Sequence, residues 1–368
     1  MALQNDNYAL YGFNYILLKT IIEMIKYIFF IIVIINPTNN LRYVKKINRI
    51  LDKNSSESVS NKKNLILSVI KGYSLEKIMI LLKSLIKANT KNCDIIFFVM
   101  EVSKPIIHIL KSFGIIVKEI SENIYKIHIF SLRWKIYSDF LFNNKDNYNQ
   151  VLSLDIRDTI IQKDIFSLYE NYDEYLAFSF ENATLEKLIG NYLIINTFGK
   201  ELFESISQKK TVNAGTVWGT ANLFFEFTKI LWSKLLIYPN FIDQTMVNYL
   251  IYHEKILNMH LQFSDHDGPV ITLGLTKRKD INLDSQNNIL NKGGKIASIV
   301  HQYDRHRDLK KLMKVKFCPE YVYGRNIQNN IIIFFVYLEV LIVFIFIKQT
   351  FIFNKCNMNK IKISSKIH

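Results

Sequence analysis

Leu65-Ile66-Leu67-Ser68-Val69-Ile70 is a short apolar run that stops at Lys71-Gly72-Tyr73, and its reading decides the fold. Six such residues with a turn signal behind them suit a strand buried on both faces. Ser74 stands where a helix cap belongs, and the apolar positions over 75–87 are dense enough to bury most of a helix's circumference. The alternation repeats. Residues 94–100 (DIIFFVM) read as a second buried strand, 104–113 as a helix opened near Pro105, and 115–120 as a third strand. This order implies α/β architecture with parallel strands and crossover helices, a doubly wound layout that binds ligands at the carboxyl ends of its strands.

Working outward, the 368 residues suffice for one large domain or two small ones with a proper core. Hydrophobic residues at 49% against 21% charged exclude a disordered chain. The net charge is +15, yet only 8 of the 47 basic residues are Arg, and the Lys are scattered among Asn and Ile. Planar recognition of bases and phosphates favours Arg, so the charge does not point to nucleic acid. Cys93, Cys318 and Cys356 are too few and too far apart for a CxxC zinc site or a disulfide framework. No GxGxxG or GxxxxGK[ST] follows the first strand, and no internal repeat is visible, which removes dinucleotide, P-loop and solenoid readings.

The two ends carry membrane signals. Residues 331–347 (IIIFFVYLEVLIVFIFI) are apolar apart from Glu339, with a looser flank to Phe353. Roughly sixteen apolar residues at about −0.3 to −0.6 kcal/mol each outweigh one carboxylate at about +2.5 to +3.5 kcal/mol, so insertion is favoured. A buried C-terminal helix is the competing reading. Residues 15–36 form a weaker candidate, a signal anchor in which Lys19 and Glu23 can pair on one helix face. Arg42, Lys45, Lys46 and Arg49 follow it and would hold that flank in the cytosol. Asn54-Ser55-Ser56 and Asn182-Ala183-Thr184 are glycosylation sequons that would serve in a lumen. The expected organisation is a tail over 1–14, a candidate transmembrane helix over 15–36, a stem over 37–63, the folded domain over 64–325, a second candidate transmembrane helix over 331–353, and a tail over 354–368.

Four clusters inside the domain carry chemistry. After a helical segment holding Arg133, Trp134 and Tyr137, the chain reads Gln150-Val151-Leu152-Ser153-Leu154-Asp155-Ile156-Arg157-Asp158. A buried strand thus ends in carboxylates, at the edge where a doubly wound sheet binds its ligand, and charge there needs a metal or a cationic partner. Oxygen ligands of this kind suit Mg²⁺ or Mn²⁺ on a diphosphate; a self-paired surface turn is the alternative. Residues 211–219 (TVNAGTVWG) read as a short loop whose Asn213, Ala214 and Gly215 allow close approach to a sugar or phosphate. Asp243 and Gln244 open a helix, where a carboxylate also suits the dipole. His301 follows an apolar strand-like run, Ile299-Val300.

In this order the clusters resemble the GT-A class of nucleotide-sugar glycosyltransferases, most nearly the family 8-like enzymes, over roughly residues 64–307. The resemblance implies a doubly wound mixed sheet with flanking helices. It implies that the first strand and its turn, with Gly72 and Tyr73, line the nucleotide base, and that Arg133 reaches the donor. Asn213, Ala214 and Gly215 would flank the donor sugar, Asp243 and Gln244 would lie at the reacting face, and His301 would complete a metal shell. The sequence departs from the family's DxD motif at one point: Arg157 stands two places after Asp155, and the next acid is Asp158. Residues i and i+3 of a strand face opposite ways, so Asp155 and Asp158 share a cation only if the chain turns there. Alternatively Arg157 itself neutralises the diphosphate.

The implied activity is hexosyl transfer from a nucleotide sugar to a hydroxyl of a glycan, glycoprotein or glycolipid, by a membrane-anchored enzyme of the Golgi or ER with its domain in the lumen. The basic flank after the first segment favours the alternative topology, a domain facing the cytosol. Mn²⁺ or Mg²⁺ with Arg133 or Arg157 would stabilise the leaving diphosphate. Asp243 and Gln244 would orient the reactants around an oxocarbenium-like centre. A catalytically inactive relative that binds sugar nucleotide or glycan is the competing reading, and a membrane-embedded structural protein is the third.

Overall fold

The computed structural model describes residues 62–319, apart from 91, 122–126, 169–173, 189 and 255–259. Among the described residues ten strands follow one another: β1 (Lys63–Lys71), β2 (Cys93–Met100), β3 (Ile116–Glu119), β4 (Tyr148–Leu154), β5 (Thr159–Ile161), β6 (Leu176–Thr184), β7 (Lys210–Thr220), β8 (Leu261–Ser264), β9 (Val270–Thr272) and β10 (Ile299–His301). Between and after them run α1 (Leu75–Ala88), α2 (Lys104–Ser112), α3 (Ile129–Asn144), α4 (Asn191–Phe198), α5 (Lys200–Ile206), α6 (Ala221–Ile237), α7 (Asp243–Tyr252) and α8 (Arg307–Phe317).

A seven-stranded sheet has the order β3-β2-β1-β4-β7-β6-β8. The first four of these pair in parallel, as the helical crossovers require, and β7 runs antiparallel to both neighbours, making the sheet mixed. A smaller sheet, β5-β10-β9, sits beside it. The fold is therefore α/β, with helices on both faces of the larger sheet.

The period of two along β1 decides which face each side chain serves. Ile66 and Ile70 join a core built with α1, α2, α8 and the small sheet, whereas Leu65 and Leu67 join a core built with α3, α6 and α7. Trp134, Tyr137, Phe224 and Phe227 fill the second core, with Trp134 edge-on to Tyr137 and to Phe227. Burial on both faces explains why β1, β2 and β4 read as continuous apolar runs rather than alternating ones.

Two local expectations are corrected. Ser74 is extended before α1, but its side chain makes no capping hydrogen bond. Residues 211–219 lie in a strand, β7, not in a loop. Thr216 and Val217 pair with β4, while on the β6 side the register jumps from Val217 to Asn213, so 214–216 form a bulge.

Among the described residues no helix is long and apolar enough to cross a membrane. The candidate spans over 15–36 and 331–353, both tails, the stem up to 61 and residues 320–325 lie outside the described residues.

Candidate active site

The carboxyl ends of β1 and β4 lie side by side, tied by Ser68 Oγ donating to the Leu154 carbonyl at 2.8 Å. Beyond Leu154 the chain turns over Asp155–Asp158 and enters β5. That turn supplies what the i,i+3 spacing demanded, since a continuing strand would have pointed the two acids to opposite faces. The Asp155 amide donates to the Gly215 carbonyl at 2.8 Å, so the bulge of β7 packs against the turn. Pairing of β5 with β10 sets Thr159 opposite His301, and the Gln302 amide donates to the Asp158 carbonyl at 2.7 Å. Strand register thus delivers the imidazole to the two acids.

Ligand atoms of Asp155, Asp158 and His301 all lie within 4.8 Å of one another. His301 Nε2 is 3.5 Å from Asp155 Oδ2 and 3.5 Å from Asp158 Oδ1, near enough to feel their charge but too far for a good hydrogen bond. The ring is 1% exposed, and neither of its nitrogens has a hydrogen-bond partner. Leaving a buried polar group unsatisfied costs about 1–3 kcal/mol, and a ligand shared by the ring and both acids would remove that cost for Nε2. Two oxygens and one imidazole nitrogen form a donor set suited to Mn²⁺ or Mg²⁺, and the residues present fit such an ion. Without it, burial works against the imidazolium, but Asp158 and Asp155 overcome that and raise His301 to about 9. Burial pushes both carboxyls up, and the opposing cations win: Arg133 then His301 hold Asp155 below its usual range, His301 then Arg157 hold Asp158 there.

Arg133, on α3, sits behind this cluster. It donates from Nη1 to Asp155 Oδ1 at 2.5 Å, and from Nη2 to the Ala214 carbonyl at 2.8 Å and Asp243 Oδ2 at 2.6 Å. Its guanidinium carbon lies 4.8 Å from the Trp134 ring centroid. Burial opposes its charge, and Asp243 with Asp155 more than restores it. Arg133 therefore lines the cavity with both terminal nitrogens committed to protein oxygens.

Asp243 is likewise tied into the protein. Its Oδ2 also accepts from Trp134 Nε1 at 3.0 Å, and its Oδ1 accepts from the Gln244 amide at 2.8 Å. Gln244 turns its side chain sideways, accepting from Asn213 Nδ2 at 3.3 Å and donating to Glu181 Oε1 at 3.0 Å. Asn213 in turn donates to Glu181 Oε1 at 2.8 Å and accepts from the Gly215 amide at 2.8 Å. Asn248 fastens α7 to β7, with its side-chain amide exchanging two 2.8 Å bonds with the Val212 backbone.

These groups line one cavity of about 450 Å³, within the ordinary size of a small-molecule site. Tyr73, Arg133, Asp155, Arg157, Asp158, Asn213, Ala214, Gly215, Asp243, Gln244 and His301 all contribute to its wall. Gly72 forms the turn before Tyr73, at φ 63°, and is not part of the wall. Arg157 and Arg305 face the cavity with side chains 39% and 43% exposed. Arg157 Nη2 is 3.1 Å and Arg305 Nη2 3.5 Å from Asp158 Oδ2, and both approach Asp304. They are the guanidiniums with nitrogens to offer an incoming anion.

Sequence reasoning missed Glu181 and gave Arg305 no role. For Glu181 the signal was present: β6 reads LAFSFE, an apolar strand ending in a carboxylate, as β4 followed by Asp155 does. For Arg305 only its place four residues after His301 pointed to it.

No protein-family model and no curated protein matches this sequence. Among solved structures the chain is similar to the glycosyltransferase GlyE of Streptococcus pneumoniae TIGR4, at 18% identity and TM-score 0.36 over 56% of this chain and 45% of that one. It is also similar to the galactosyltransferase LgtC in complex with donor and acceptor sugar analogues, at 15% identity and TM-score 0.41 over 67% of this chain and 91% of that one. The match thus spans less than half the length of GlyE.

Proposed function

We propose that the protein is a GT-A glycosyltransferase that moves a hexose from a nucleotide-diphosphate sugar to a hydroxyl of a glycan, glycoprotein or glycolipid. One observation carries the reading: a buried imidazole with both ring nitrogens unpartnered faces two carboxylates at the end of a central strand, in a cavity that also holds two part-exposed guanidiniums. A lone acidic cluster would repel a diphosphate; carboxylates set to share a cation, flanked by Arg, fit one.

Asp155, Asp158 and His301 would hold Mn²⁺ or Mg²⁺, which supplies positive charge where negative charge gathers on the leaving diphosphate. Arg157 and Arg305 bind phosphate oxygens from the protein side. Tyr73 offers its half-buried ring to the base. Asn213, Ala214 and Gly215 border the sugar, and Gln244 presents its amide at the reacting side while Asp243 and Arg133 fix the wall behind it. Anchoring in Golgi or ER membranes, with the domain in the lumen, is the companion proposal; it rests on the apolar segments 331–353 and 15–36 and on Asn182, exposed on β6.

Calorimetry with a panel of nucleotide sugars in the presence of Mn²⁺, followed by transfer and hydrolysis assays, tests the activity. The expected result is binding of one donor class, with turnover that falls by orders of magnitude in Asp155→Ala and His301→Ala. Undiminished turnover in both variants rejects the assignment, and binding with no turnover in the parent favours the inactive relative. Endoglycosidase sensitivity at Asn182 tests lumenal exposure.

A further inference from the structure

Helix α8 (RDLKKLMKVKF) holds five basic residues and one acid in 11 positions, and they are not spread evenly. Leu309, Met313 and Phe317 are buried in the core, while Arg307, Lys310, Lys311 and Lys314 follow at i, i+3, i+4 and i+7 and so share one face. Lys314 is paired with Glu76. Arg307, Lys310 and Lys311 are exposed and enter no ion pair among the described residues.

The turn after β9 widens this face. His306 Nε2 lies 3.0 Å from the Leu273 carbonyl, and Arg278 Nε donates to Asp308 Oδ2 at 2.5 Å, which sets residues 273–280 against the start of α8. Lys277 and Lys279, on either side of Arg278, are likewise exposed and unpaired. Leu275, close by on the cavity wall, is 50% exposed. The acids here are already neutralised, Asp308 by Arg278 and Asp304 by Arg305, so five free cations and one apolar side chain extend from the cavity rim along α8. Cations gathered on one face repel one another, and a layer of anions relieves that.

The course of the chain says which layer. Residues 320–330 are all that separates Pro319, the last described residue, from the apolar segment 331–353, and a linker of that length spans at most about 40 Å. With the segment in a bilayer, the end of α8 stays within that distance of the headgroups. Four of the five cations are Lys, a point charge that suits mobile headgroups better than the planar edges of bases. We propose that this face docks the domain on a bilayer surface rich in anionic lipid. The choice of partner rests on the anchoring proposed above, and the compartment is read separately by the endoglycosidase test.

The full chain, reconstituted with vesicles of phosphatidylcholine alone or with about one third phosphatidylserine, tests the docking through acetylation of its lysines by a reagent confined to water. On anionic vesicles Lys277, Lys279, Lys310 and Lys311 should react about fivefold more slowly than on neutral ones, and about 1 M salt should remove the difference. Lys229, on α6 across the sheet, should react equally on both. Combining Arg307→Gln, Lys310→Gln and Lys311→Gln should leave the melting temperature unchanged and remove the protection of Lys277 and Lys279. Equal reactivity of these lysines on both vesicles overturns the proposal, and so does stronger protection by RNA or heparin at matched charge, which would make a soluble polyanion the partner. A chain that fails to float with neutral vesicles overturns the anchoring; flotation with anionic vesicles that salt reverses would still support the docking, and absence of both overturns it.

Discussion

Gly215 and His301 are packed so closely that no side chain fits between them: a Cβ on Gly215 would stand 2.7 Å from His301 Nε2 and 2.7 Å from Asp155 Oδ2. The bulge in β7 brings the backbone against Asp155 and His301, and the absent side chain is what allows it. Gly215→Ala is therefore expected to push the imidazole and carboxylate apart. Overpacking of this kind costs about 1–3 kcal/mol. The melting temperature should drop modestly, and Mn²⁺ affinity by tenfold or more; unaltered Mn²⁺ titration would show that the ion is not held there.

The acids around His301 set a pH dependence whose direction follows from which form they favour. In the cation-free protein Asp158 and Asp155 outweigh burial and raise the imidazole to about 9, against 6.5 for an unperturbed histidine. A raised folded value means that the imidazolium stabilises the fold, fully below about pH 6.5 and progressively less as pH rises to about 9. Thermal stability in chelator should decline across that window, and His301→Gln should not show the decline. A bound cation needs the neutral ring, so Mn²⁺ affinity should rise with pH over the same range. A melting temperature in chelator that is flat from pH 6.5 to 9 contradicts the arrangement.

Arg157 and Arg305 are exposed enough that their ion pairs with Asp158 and Asp304 add little to folding, of the order of 0–1 kcal/mol. Their value lies in the nitrogens turned to the cavity. Replacing either by Ala should weaken nucleoside-diphosphate binding by about 10- to 100-fold, the equivalent of one or two charge-assisted hydrogen bonds, with the melting temperature nearly unchanged. Arg157→Lys should recover only part, since the ammonium lacks the planar fork. Equal affinity in parent and Arg157→Ala would remove this residue from the donor site.

The fold was legible in sequence where burial leaves a simple mark. Strands β1, β2 and β4 are apolar on both faces, and the helices between them carry dense apolar positions, so alternation alone indicated α/β order. The convergence of Asp155, Asp158 and His301 was suggested by order and residue type, but the turn over 155–158 and the β5–β10 register that produce it are long-range facts. Bulge and loop look alike in TVNAGTVWG, because small residues serve both. Glu181 escaped notice because a single carboxylate after an apolar strand is common.

Asp243 and Arg133 are the pair for which sequence position suggests chemistry and contacts indicate support. Arg133 joins α3 to the turn after β4, to β7 and to α7 through Asp155, Ala214 and Asp243, all inside the protein. Asp243→Ala would leave a buried guanidinium short of one carboxylate and the Trp134 indole short of its acceptor. Breaking a buried pair from one side costs about 3–5 kcal/mol, whereas replacing both partners by apolar groups of similar volume is often far milder. Urea denaturation should therefore show a large loss in Asp243→Ala and in Arg133→Ala, and a smaller loss in Arg133→Met combined with Asp243→Leu than the two single losses summed. Additive losses would mean that the two residues do not act as a unit. A single Asp243→Asn that keeps parental stability while transfer disappears would instead move the carboxylate from the supporting wall to the chemistry.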